Sequence, residues 1–201
     1  MTGPGDDPIA RLRLEKQALR KRILDARASI APEERERLSR LITTRVLALP
    51  EVQRARCLLA YLSFGDELAT AHLIESLRDR RLVLPRIDRA AHRLDLYRVQ
   101  DPTTDTMPGV WGIREPDPER CVRADLDEID LIVVPGVAFT PACARLGYGG
   151  GYYDELLSRW ERPPYRIAAA FDVQIVHAVP LTPADLPVDA VITQSAQYKR
   201  A

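Results

Sequence analysis

The chain has no excess of either charge: lysine plus arginine and aspartate plus glutamate both number 29 in 201 residues. That balance removes any overall field toward nucleic acid or an anionic membrane, so such attraction would have to be local. No apolar run approaches the roughly 20 residues that a membrane helix needs. The start, MTGPGDDPIA, is polar and acidic where a secretory leader is basic and then apolar. Cysteine is scarce: Cys57, Cys121 and Cys143 are odd in number, widely separated and without CxxC spacing, which disfavours both a disulfide framework and a zinc site. Internal repeats and low-complexity tracts are also lacking. A single cytoplasmic domain over 9–201 is expected, behind a loose tail at 1–8, with no membrane or nucleic-acid partner and no oligomer beyond a monomer.

What is present is an alternation of periods. Leu12, Leu19, Ile23 and Ala26 recur at helical spacing over 9–29, opposite a face rich in arginine and lysine. A second helix is predicted from Pro32, with Leu38, Leu41, Ile42 and Leu49 on one side and a stop before Pro50. CLLAYLSF reads as a buried strand, DELATAHLIESLRDR as a helix, and RLVLP and RLDLYRV as strands. Residues 101–120 are dense in proline, aspartate and glycine and predict a long loop, a kind that tends to be functional. LIVVPGVAF is another buried strand, and RIAAAF and DAVIT are the last two. Strands alternating with helices predict an α/β fold with a three-layer, mostly parallel sheet flanked by helices.

Between LIVVPGVAF and a helix predicted over 152–160 lies ARLGYGGGYYD, with four glycines in residues 147–151. Bare backbone at a helix start lets a phosphate approach unpaired amides, and Arg145 adds a fork-shaped cation. No lysine followed by serine or threonine closes the segment as a Walker A loop would, and Tyr152 stands where a dinucleotide fingerprint needs its third glycine. The alternative is a tight turn whose glycines only supply positive φ. Asp154 is either a partner of the helix dipole or, beside a polyphosphate, a ligand for Mg²⁺, with Asp189 as a candidate second acid.

With its flanks, this segment resembles the 5-formyltetrahydrofolate cyclo-ligase family, also called methenyltetrahydrofolate synthetases. KQALRKRIL, YLSFGDELAT, LVLPRI, GVWGIREP, AAAFDVQIV and LPVDAVIT follow the family's order from Lys16 to Thr193. The resemblance implies a fold related to ribose-phosphate isomerase and the coenzyme A transferases. It also implies ATP- and Mg²⁺-dependent closure of 5-formyltetrahydrofolate to 5,10-methenyltetrahydrofolate, with release of ADP and phosphate. Under it, Lys16, Arg20 and Arg145 neutralise transferring phosphate, and Gly147, Tyr148, Gly149, Gly150, Gly151, Tyr152 and Tyr153 complete the ATP loop. Asp154 and Asp189 match metal ligands; Leu62, Glu67, Trp111, Tyr148 and Tyr152 match the folate side. Read alone, Lys16 and Arg20 are better explained by a solvated basic face, while Glu67 is as well explained by a helix-start carboxylate and Trp111 by a loop anchor.

In the implied reaction the formyl oxygen attacks the γ-phosphate, N10 adds to the resulting iminium phosphate, and phosphate departs. Such chemistry asks for alignment and charge neutralisation rather than a side-chain nucleophile. That fits the absence of any persuasive Ser/His/Asp or Cys/His arrangement. His72, His92 and His177 read as ordinary surface histidines. Two departures from the family stand out: Cys143 where glycine usually precedes the loop arginine, and Glu155 where arginine often follows the metal aspartate, which would bring a negative charge toward the phosphates. Rival readings are a sugar-phosphate isomerase on the same scaffold, which would need no ATP, and an RNA-binding module using the basic first helix.

Overall fold

The computed structural model describes residues 7–200, apart from the side chain of Trp111. Residues 1–6 of the expected tail lie outside that range, whereas Asp7 caps the first helix and Pro8 opens it. Three helices open the chain: α1 (Pro8–Ala28), α2 (Pro32–Leu47) and α3 (Pro50–Arg54). Each has proline in its first turn, where the missing amide has no intrahelical acceptor to lose. Asp7 caps α1 by accepting a hydrogen bond from the Ile9 amide at 3.0 Å.

The strands follow in chain order: β1 (Cys57–Leu59), β2 (Arg81–Asp88), β3 (Arg93–Val99), β4 (Thr106–Pro108), β5 (Arg114–Pro116) and β6 (Val122–Arg123). They continue as β7 (Leu131–Val133), β8 (Ala138–Phe139), β9 (Arg145–Leu146), β10 (Tyr165–Ala169), β11 (Ala190–Ile192) and β12 (Gln197–Lys199). Helix α4 (Ala71–Ser76) lies between β1 and β2, and α5 (Tyr152–Leu157) between β9 and β10. Eight strands form one sheet in the order β12-β11-β10-β7-β1-β2-β3-β6. Its five central strands are parallel; β12 at one edge and β3 and β6 at the other are antiparallel.

The central strands are buried on both faces, so their runs are continuously apolar, and their alternation sorts residues between two cores. Leu58, Leu131, Val133, Ile167 and Ile192 face α2, α3 and α4, while Leu59, Ile132, Val134, Ala168 and Val191 face α5 and Trp160. These are the three layers expected. A third, smaller core joins Ile23 of α1 to Val137, Ala138 and Leu146 on the β8–β9 hairpin.

The chain leaves β1 toward one edge, then returns to β7 on the other side of β1. Such a reversal opens a crevice between loops at the carboxyl ends of the two strands, the usual ligand site of α/β sheets. The loops meeting there are 60–70 after β1 and 134–151 after β7.

Several elements are shorter than the periodicity predicts. CLLAYLSF pairs only over Cys57–Leu59. Beyond that, Thr70 and Ser63 exchange side-chain hydrogen bonds, Thr70 Oγ1 donates to the Tyr61 carbonyl at 2.7 Å, and the segment is held as a loop. That loop delays α4, so the helix predicted from Asp66 forms only over Ala71–Ser76. Residues 101–120 are not irregular throughout but carry the β4–β5 ribbon and a 3-10 turn at Val110–Gly112.

All three cysteines are buried, and burial pushes each thiol's pKa up. A protonated, sealed thiol is inert. A colorimetric disulfide reagent should therefore find no fast thiol in the native protein and three after unfolding in denaturant. A rapid native equivalent would contradict the packing around these side chains.

Candidate active site

The β8–β9 hairpin delivers the glycine segment into the crevice. Its turn is set by Cys143, whose φ of 63° is in the left-handed region that glycine occupies without strain. The glycine usual in the resembling family is thus explained by backbone geometry, and Cys143 holds the same turn with its side chain fully buried. From the open end of the hairpin the chain runs through Gly147–Gly151 into α5.

Two glycine positions make the loop what it is. Gly149 has φ of 106°, and Gly151, at the start of α5, has φ of 71°. Among the described residues, none of the amides of Gly147, Tyr148, Gly149, Gly150 and Gly151 donates a hydrogen bond to another protein group. A run of unpaired donors is uncommon unless water or a ligand completes it. Because α5 is only six residues long, the loop amides and neighbouring cations, rather than a long helix dipole, supply the positive field.

Those cations come from one hairpin strand and one face of α1. Arg145 on β9 is 3% exposed; its Nη2 meets Asp154 Oδ1 at 2.5 Å, its Nη1 is 3.4 Å from the Pro135 carbonyl, and its Nε has no partner. Gly147 leaves room for this guanidinium, since a Cβ there would sit 2.9 Å from Arg145 Nη1. Arg20 Nε donates to the Gly147 carbonyl at 2.8 Å and its guanidinium lies beside Gly149. Lys16, one turn earlier, is held by Asp185 at 2.7 and 2.5 Å, and Thr182 also donates to Asp185.

Arg27, two turns beyond Arg20 on the same face, is buried and donates to the Tyr148 hydroxyl at 2.7 Å. Tyr148 OH in turn donates to Glu67 Oε1. Glu67 also accepts from the Phe64 amide at 3.1 Å, which orients it at the end of the 60–70 loop. Burial raises the Glu67 pKa, against the lowering effect of the Tyr148 and Phe64 hydrogen bonds. Burial, then the Glu67 charge, raises the phenols of Tyr61, Tyr148 and Tyr153. The Tyr153 hydroxyl is buried without a hydrogen-bond partner. Leu62 packs against the core beside this cluster. An open depression between Pro32, Arg35 and Ser39 of α2 and the 63–69 loop also has Glu67 in its lining.

The structure therefore brings Lys16, Arg20, Arg145, the glycines, Tyr148, Tyr153, Asp154 and Glu67 into one crevice. Tyr152 opens α5 at its edge. The backbone of Trp111 lies in the 3-10 turn, and its side chain lies outside the described residues. Asp189 departs from the expected pairing of two metal acids. Its carboxylate accepts from Arg166 at 2.7 and 3.0 Å and from the Arg166 amide at 2.9 Å. It also lies toward the turn end of the β8–β9 hairpin, where the Val188 amide bonds the Cys143 carbonyl, whereas the glycines leave the open end.

Asp154 Oδ1 is shared by Arg145 and the Leu186 amide, which leaves Oδ2 without a hydrogen bond among the described residues. Mg²⁺ bound chiefly by phosphate oxygens needs only one or two carboxylates, so this donor fits it, and Asp189 does not while it holds Arg166. No cluster of three or more metal-binding side chains exists among the described residues. Glu155 does not act on the loop as a bare charge, because Arg159 engages both its oxygens at 2.9 and 2.7 Å. Arg27, Asp185 and His92, which stacks on Tyr152 at 4.7 Å, are site neighbours that the sequence reading missed. Only Arg27 had a visible signal, its helical register with Lys16 and Arg20.

The 5-formyltetrahydrofolate cyclo-ligase family model matches residues 13–194. A probable 5-formyltetrahydrofolate cyclo-ligase from Caenorhabditis elegans is 30% identical over 188 residues, covering 88% of this chain and 91% of that protein. The 5-formyltetrahydrofolate cyclo-ligase of Escherichia coli is 31% identical over 180 residues, covering 88% of this chain and 99% of that protein. Among solved structures, the Aquifex aeolicus 5,10-methenyltetrahydrofolate synthetase superposes with a TM-score of 0.80 at 32% identity, covering 92% of each chain.

Proposed function

Because the chain belongs to the 5-formyltetrahydrofolate cyclo-ligase family, we propose that it converts 5-formyltetrahydrofolate to 5,10-methenyltetrahydrofolate, using ATP and releasing ADP and phosphate. One observation carries the reading: the unpaired amides of Gly147–Gly151, flanked by Arg145 and Arg20 with Lys16 one turn earlier on α1, adjoin the Tyr148–Glu67 contact. A phosphate cradle beside a polar folate subsite is what transfer between the two substrates demands.

In this reading the loop amides and the three cations take the ATP phosphates, with phosphate oxygens replacing Asp185 on Lys16. Glu67 accepts hydrogen bonds from the pterin, Tyr148 and Leu62 line its site, and Trp111 and Tyr152 offer flat faces to it. The formyl oxygen attacks the γ-phosphorus and the bond to ADP breaks; N10 then adds to the activated carbon, loses its proton, and phosphate leaves with the former formyl oxygen. Arg145 faces the charge that grows during transfer, where a fixed donor counts most. Asp154 would hold Mg²⁺, which supplies charge neutralisation across the phosphates. No helix among the described residues is long and apolar enough to cross a membrane, and the reading takes the protein as a cytoplasmic monomer acting on small molecules.

The test is purified protein with 5-formyltetrahydrofolate, ATP and Mg²⁺, followed at the methenyl product's ultraviolet band. Product should form only with ATP present, and Lys16→Ala should raise the KM for ATP roughly tenfold, the scale of one charge-assisted hydrogen bond. Wild-type protein that makes no product would remove the assignment.

A further inference from the structure

His92 sits in the β2–β3 turn, far in sequence from the glycine loop, yet its ring stacks on Tyr152 with centroids 4.7 Å apart and planes 30° from parallel. Its Nε2 also lies 4.0 Å from where a Cβ would stand on Gly151. The placement is deliberate in backbone terms: His92 has φ of 51°, a conformation uncommon for residues other than glycine, though histidine is enriched in it. The turn is presented rigidly, because β2 and β3 pair from Leu82–Val99 to Asp88–Arg93 and Asp88 Oδ1 accepts from the Ala91 amide at 3.0 Å. At the other end of α5, Arg159 Nη1 donates to the Leu94 carbonyl of β3 at 2.9 Å.

We propose that His92 is a positioning residue for the nucleotide loop: by holding the Tyr152 ring, it fixes the last peptides of the Gly147–Gly151 cradle. This inference rests on the reading of that loop as an ATP site. The hairpin grips α5 at both ends, at Tyr152 through His92 and at Arg159 through Leu94. Arg20 on the Gly147 carbonyl and the held Tyr148 hydroxyl anchor the first half of the loop, whereas Gly149, Gly150 and Gly151 have no side chains and lead straight into Tyr152, which also packs against the second core. Without the stack, the last peptides of the loop are held less tightly before the ligand arrives, and ordering them on binding weakens affinity.

The test separates ring from turn. His92→Asn keeps a residue that tolerates positive φ but removes the aromatic face; His92→Phe keeps the face. MgATP binding by calorimetry should weaken about three- to tenfold in His92→Asn, the scale of an aromatic pair, and stay within about twofold of wild type in His92→Phe. The KM for ATP should follow the same order while kcat holds. Nuclear Overhauser contacts between the His92 and Tyr152 rings should be present in the wild type. Missing ring contacts, or unchanged MgATP affinity in His92→Asn, would overturn the proposal. Wild-type protein that binds MgATP but forms no methenyl product would instead sink the cyclo-ligase reading and leave His92 to be judged on affinity. Wild-type protein that binds no MgATP would overturn both.

Discussion

Replacing Arg145 by alanine should lower the unfolding free energy by about 3–5 kcal/mol and abolish turnover as well. The guanidinium is buried, and its removal strands Asp154, whose Oδ1 would keep only the Leu186 amide. With a urea m-value of about 2 kcal/mol per molar, the midpoint should fall by roughly 1.5–2.5 M. The pair is poor evidence of design for stability, since Arg145 Nε has no acceptor and Nη1 reaches Pro135 only at 3.4 Å. A guanidinium buried with donors to spare is better explained by an anion that arrives and uses them.

Arg145→Lys keeps the charge and loses the fork, so it separates the two roles. It should fold, lose less stability than the alanine variant, and still drop kcat by roughly a hundredfold, as removal of a fixed transition-state donor does. Full activity in Arg145→Lys would mean that the fork does not meet the transferring phosphate. Asp154→Asn preserves an oxygen for Leu186 but leaves the buried Arg145 cation without its counter-charge, so it should also lower stability, and it should raise the Mg²⁺ concentration needed for half-maximal rate.

Local periodicity made the layers legible. The α1 stripe, the apolar run at β7 and the glycine cluster each follow from residue spacing, because helix faces and doubly buried strands must repeat their apolar pattern wherever they pack. The two-residue β6 and the three-residue β12 left no such trace: with the exposed Val122 and Gln197 among their residues, they exist as strands through pairing to β3 and β11. The site divided in the same manner. Arg145, Tyr148 and Asp154 are near neighbours in sequence and could be grouped by spacing, and Arg27 shares a helical face with Arg20. His92 and Asp185 reach the loop only through the β2–β3 register and the turn at 182–185, which no local pattern specifies. Asp185 and Asp189, four residues apart, look equivalent in sequence. The fold gives one to Lys16 and the other to Arg166.

Glu67→Gln should stabilise the protein at pH 8 and damage catalysis at the same pH. Burial raises the Glu67 pKa above its ordinary value in the folded state, so the folded protein holds this proton more tightly than the unfolded chain. The sign follows from linkage: the carboxyl's contribution to stability is fully present below the ordinary glutamate range and is lost as pH rises through the elevated value. Above that value the native state carries a buried anion, relieved by Tyr148 OH, the Phe64 amide and the Arg27 charge. Glutamine removes the charge, and its stability advantage over wild type should shrink to nothing as pH falls below the ordinary glutamate range. The KM for 5-formyltetrahydrofolate should rise roughly ten- to hundredfold, the worth of a hydrogen bond to a charged group, because in the proposed reading the anion is the acceptor for the pterin N–H groups. Tyr148→Phe deletes the donor that favours the ionised form and so raises the folded-state pKa further; its stability should start to fall at the same pH as in the wild type but go on falling to a higher pH. A Glu67→Gln protein less stable than wild type at pH 8 would show that hydrogen bonding to the carboxylate outweighs its desolvation, and the strain attributed to this subsite would be absent.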